Sequence, residues 1–199
     1  MKYHKNRHRK KTEQKKKSKT GMGLFIAFIM ISSVFAILFY GFGETTQVDR
    51  YDGHTFRWTN EGYTVSLKGT TYAFDLLPQH VEMAHVTQEA STLLKSAQAV
   101  ITTSEQNSPY ATDIAIASYN LNTLLGKDGI FVSNAFIDSQ TPITCADATP
   151  GNPVIYFQEA LIASQITASD NCITIMFENP ASLQQMVTKL LYMYLGIIQ

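Results

Sequence analysis

No Gly-x-Ser-x-Gly elbow, no Ser-x-x-Lys and no Cys-x-x-Cys occurs in the 199 residues. The recognisable signatures of an activated serine and of a redox dithiol are therefore missing. Only two cysteines are present, Cys145 and Cys172, and neither lies where a lipid anchor would attach. The one dense group of metal-type side chains, His80-Val81-Glu82-Met83-Ala84-His85, has the wrong period. Histidines five apart point about 140° away from each other on a helix and to opposite faces of a strand. No third ligand stands nearby, so neither metal nor cofactor is expected, and no catalytic residue is assigned. An enzyme without a signature remains the alternative reading.

Charge is missing from one long stretch: no Asp, Glu, Lys or Arg occurs between Lys19 and Glu44. A helix needs about 20 apolar residues to cross the hydrocarbon core, whereas the apolar part of a cleaved signal peptide is about 7–15 residues long. Residues 21–43 therefore read as an uncleaved signal anchor. Ahead of it, residues 1–20 carry ten Lys and Arg against Glu13 alone, a net charge of +9. From Glu44 onward fifteen acids face six bases, a net −9, so the overall neutrality averages two unlike halves. Basic flanks resist translocation, which keeps the N-terminus in the cytoplasm and places the C-terminal domain outside a cell membrane crossed once.

Attraction to anionic headgroups, at about 1 kcal/mol per basic residue, accounts for the basic cluster without a nucleic-acid partner, so membrane lipid is the expected contact. A disordered tail is expected from its composition. Two other readings compete for the same region. Gly41 and Gly43 resemble a signal cleavage site. A pilin-like precursor would be cut at Gly21, but the glutamate which that pattern places five residues on is replaced here by Phe25 or Ile26.

Residues 44–52 read as a polar linker and 53–199 as one globular domain of α/β or α+β class, large enough for its own core. His54, Phe56 and Trp58 alternate with polar residues, as do Tyr63, Val65 and Leu67, and then Tyr72, Phe74 and Leu76, which predicts a three-stranded meander with one aromatic face. Those rings either fill the core or form an exposed patch. Thr87 is placed to cap a helix through Ser96, and Gln98–Thr103 reads as a strand. Ser108-Pro109 opens a helix to Gly126, and Ile130–Ile137 follows, giving a right-handed βαβ unit. Strands over Pro153–Gln158 and Asn171–Phe177 flank a polar excursion. Asn179 caps a final amphipathic helix begun by Pro180.

The basic tail and apolar run, Tyr-Asp-Gly-His-Thr-Phe, Thr-Cys-Ala-Asp-Ala-Thr before Pro-Val-Ile-Tyr-Phe, Asn-Cys-Ile and the terminal Tyr-Leu-Gly-Ile together give a layout over most of the chain. It resembles uncharacterised membrane-anchored proteins of small-genome archaea, a resemblance that implies the layout and no activity. Two sites are expected from the residues themselves. Cys145 and Cys172 form an even pair on the oxidising side of the membrane and are expected to be bridged. The loop holding Thr103, Ser104, Asn107 and Ser108 lies between a strand and a helix, where open α/β sheets bind ligands. It lacks the glycine that would let backbone approach a pyrophosphate, and Glu105 would repel one. Function is expected to run through protein contacts in the cell envelope, as a structural or accessory component with an envelope partner or by self-association.

Overall fold

The computed structural model describes residues 21–35, 48–105, 107–135 and 143–199. The chain divides into two units, Met1–Thr45 and Thr46–Gln199. In the first, residues 21–35 are helical (α1), and Ser33 Oγ donates to Met30 O of its own helix at 2.9 Å. The expected tail, the far part of the expected span (residues 36–43) and residues 44–47 lie outside the described residues. Among the described residues no helix is long and apolar enough to cross a membrane.

The second unit has an α+β fold that begins with four antiparallel strands in the order β1 (Val48–Tyr51), β2 (His54–Thr59), β3 (Gly62–Leu67) and β4 (Thr70–Phe74). The meander is one strand larger than the alternation alone predicts. The end of the expected linker pairs with β2, Val48 opposite Arg57 and Tyr51 opposite His54. Asp52-Gly53 and Lys68-Gly69 each place two successive residues at positive φ, the backbone of a tight hairpin turn whose twist matches its strands. Phe56, Val65 and Tyr72 lie across from one another and are buried. Trp58 is different. It stands at the end of the same face, 50% exposed, edge-on to Tyr63 with ring centroids 4.7 Å apart. The aromatic face is thus core for most of its length and surface at one end.

A short helix α2 (Pro78–Val81) follows, then β5 (His85–Val86) and α3 (Gln88–Lys95). Thr87 occupies the N-cap of α3 with extended backbone, but its hydroxyl makes no capping bond. Next come β6 (Ala99–Ser104), α4 (Ala111–Gly126) and β7 (Phe131–Asn134). Helix α4 starts later than Ser108-Pro109 predicts, because Ser108 and Tyr110 first close a turn in which Tyr110 N–H donates to Ser108 Oγ at 3.1 Å. A 3-10 turn at Cys145–Asp147 leads to β8 (Val154–Glu159), β9 (Gln165–Ser169), β10 (Cys172–Phe177) and α5 (Pro180–Leu195). Strand β9 occupies the segment read as a polar excursion. It joins β10 through Asp170-Asn171, both at positive φ.

The six strands run in the order β5-β9-β10-β8-β6-β7, parallel except between β9 and β10. Ile173 lies opposite Ile155 and Ile175 opposite Phe157, and all four are buried on the face carrying the helices. Helix α5 packs on β10 with α3 and α4 at its sides. Asn179 caps it as expected, its Oδ1 accepting from Ser182 N–H at 3.0 Å while Ser182 Oγ accepts from Asn179 N–H at 3.2 Å. Tyr192 of α5 receives the meander. Its ring lies 4.2 Å from that of Phe74 and 5.9 Å from that of Phe56, and its hydroxyl donates to Leu76 O at 2.5 Å. One core therefore joins both sheets.

Candidate functional site

The cysteine pair is bridged. Cys145 and Cys172 lie with Cα atoms 5.2 Å apart, inside the range of about 4.4–6.8 Å that a disulfide spans. Thr144 shapes the approach by capping the 3-10 turn, its Oγ1 accepting from Ala146 N–H at 3.3 Å. The bridge fastens this turn to the sheet at β8 and β10.

Three of the four residues expected in the strand-to-helix loop make hydrogen bonds within the fold. Thr103 is buried and its hydroxyl donates to Ile143 O at 2.9 Å. Ser104 Oγ donates to Glu105 O at 3.3 Å, and Ser108 Oγ to Glu159 Oε1 at 2.7 Å. Asn107 is exposed. Neither the groove along α4 and α5 nor the shallower cleft beside α3 and β9 is lined by these four residues. His80 and His85 stand exposed, one in α2 and one opening β5. Among the described residues, no three or more His, Cys, Asp or Glu gather to hold a metal.

The feature that spacing did not reveal is a groove of about 650 Å³ running along α4 and α5 beside β4. Helix α4 contributes Asp113, Ile116, Asn120 and Thr123, and its C-cap Lys127 continues the row at three- and four-residue intervals. From α5 come Ala181, Gln184, Thr188 and Leu191, and from β4 Ala73 and Phe74, with Asp75 and Glu61 at the side. Helix α4 is almost uncharged, Asp113 being its only ionised residue, and Ile116, which lines the groove, is 55% exposed. Apolar side chains left outside a folded helix in a concave setting mark a surface suited to burying a partner.

Polar contacts fix the groove's walls. Lys127 Nζ donates to Thr71 O at 2.7 Å and sits 5.7 Å from the centre of the Tyr72 ring. Gln184 Nε2 donates to Asp75 Oδ2 at 3.1 Å. Behind Lys127, Tyr72 and Tyr194 both donate to the carboxylate of Asp128, Tyr194 at 2.9 Å. Burial, and then the hydrogen bond to Asp128, push the Tyr72 hydroxyl up to about 12, and the same causes raise Tyr194. Both phenols are thus held neutral as donors.

No protein-family model, no curated protein and no solved structure matches the chain.

Proposed function

We propose that the chain is an interaction component of the cell envelope, anchored by residues 21–43 with its C-terminal domain outside, and that the groove along α4 and α5 receives a partner protein. The groove carries this reading: about 650 Å³ of open space, with Ile116 left exposed on a nearly uncharged helix. Anchoring draws its support from the 24 uncharged residues between Lys19 and Glu44 and from +9 against −9 on their two sides.

The test has two readouts in intact cells. External protease should degrade the C-terminal domain and spare the basic tail, and a photo-crosslinker replacing Ile116 should form adducts that the same group at Asn122 does not. Protection of the domain refutes the topology. Adducts equally frequent at both positions refute the groove as the contact.

A further inference from the structure

The groove has direction, length and polarity, and these specify its occupant. Along α4 it extends from Asp113 to Lys127, about 21 Å at 1.5 Å per residue, with α5 beside it from Pro180 to Leu191. Two neighbouring helices present ridges at three- and four-residue spacing, and such ridges interdigitate with those of a third helix. An extended strand fits less well, because Lys127 already occupies the Thr71 carbonyl on the free edge of β4, and a lysine on a sheet edge opposes strand addition.

Charge separates along the same axis. Lys127 closes the groove at the C-terminal end of α4, where its amine is held by the start of β4. Asp113 lies in the first turn of α4, and Asp75 lies past the other end of β4, tied to Gln184 in the second turn of α5. Glu61 joins that end. Its neighbour Gly62, at φ +100, is pressed so closely on Phe74 that an added Cβ would stand 2.6 Å from Phe74 O. Three acids therefore crowd one end, and the single lysine at the other is engaged with a backbone carbonyl.

We infer that the groove binds an amphipathic α-helix of a partner protein, about four turns long, with an apolar stripe seated against Ile116 and basic residues at the end facing Glu61, Asp75 and Asp113. This rests on the interaction reading above and names its partner's chemistry. Apolar contact at Ile116 supplies affinity, the polar side chains Asn120, Thr123 and Gln184 beside it fit the flanks of such a helix, and the acid cluster sets orientation and selects against acidic helices.

The probe is a fluorescent synthetic peptide of about 14 residues, with leucines at i, i+3, i+4 and i+7, alanine and glutamine elsewhere, and lysines clustered at one end. Fluorescence anisotropy is measured against the full chain in detergent micelles. Ile116→Glu should weaken binding about tenfold or more, since a charge would be buried at the apolar contact. Asp113→Lys should weaken it several-fold and flatten its salt dependence. A glutamate-ended peptide and one interrupted by central prolines should bind at least about tenfold more weakly. Ile116 is exposed, and an unchanged far-UV circular dichroism spectrum verifies that I116E stays folded. The inference is overturned if the proline-interrupted or glutamate-ended peptide binds equally well, if I116E has no effect, or if no peptide binds. Crosslinks from position 116 without peptide binding would reject the helical partner alone, whereas loss of both would reject the interaction reading as well.

Discussion

Asp128 illustrates how much a single carboxylate organises, since it takes hydrogen bonds from Tyr72 and Tyr194, which arrive from the meander and from α5. Both phenols have folded pKa values above the ordinary 10, Tyr72 reaching about 12. A raised folded value means that the stabilisation is fully present below the unfolded value and is lost as pH climbs through the folded one. Alkaline unfolding should therefore steepen between pH 10 and 12. A variant carrying Tyr72→Phe and Tyr194→Phe keeps both rings. It should lose about 1 kcal/mol or more at neutral pH and show a shallower fall in melting temperature above pH 10. Parallel slopes for the two proteins in thermal melts from pH 7 to 11 would contradict this account. Nothing in the sequence marks the cluster. Asp128 reads as part of the turn Lys-Asp-Gly, and its partners stand 56 and 66 residues away. Asn179-Pro180 is legible by contrast, because a cap acts on backbone only three residues ahead.

Legibility at the level of elements follows the same rule of range. Strands β2 to β4, the βαβ unit of β6, α4 and β7, and helix α5 are written in local periodicity and turn residues. Strand β1 is announced by Asp52-Gly53, a hairpin signal that outweighs the polar character of Val48–Tyr51. Strand β9 is harder to read, because Gln165–Ser169 alternates over only five residues and Ile166 is its one large apolar side chain. The groove is less legible still. Its rows, Asp113 to Lys127 and Ala181 to Leu191, become neighbours only when the sheet sets α4 beside α5. The disulfide lies between these cases, since the compartment argument supplies the pairing and the fold supplies the distance. Closing a 27-residue separation should contribute about 3–4 kcal/mol by chain-entropy reasoning. For a domain of this size that corresponds to a melting temperature lowered by roughly 6–15 °C in a variant with Cys145→Ser and Cys172→Ser. Equal midpoints for the variant and the oxidised parent would show that the bridge contributes nothing.

For the whole molecule, the expectation with the widest reach is that residues 1–20 remain attached. Intact-mass measurement of protein extracted from membranes should give a species retaining the tail, because 24 uncharged residues exceed the apolar core of about 7–15 that signal cleavage acts upon. A mature species starting at Met22 would instead mark pilin-like processing, and one starting at Glu44 a removed signal. Strand order bears on how such a domain comes into being. Strand β10 and helix α5, the last elements described, occupy the middle of the larger sheet and the centre of the core. The meander is made early, yet its aromatic face waits for Tyr192, 118 residues beyond Phe74. At about 5–20 residues per second this delay is roughly 6–24 s, during which Phe56 and Phe74 have no lid. Emergence from the ribosome thus leaves a greasy half-built platform for many seconds. Its safe keeping falls to whatever holds nascent chains apart until the final helix arrives.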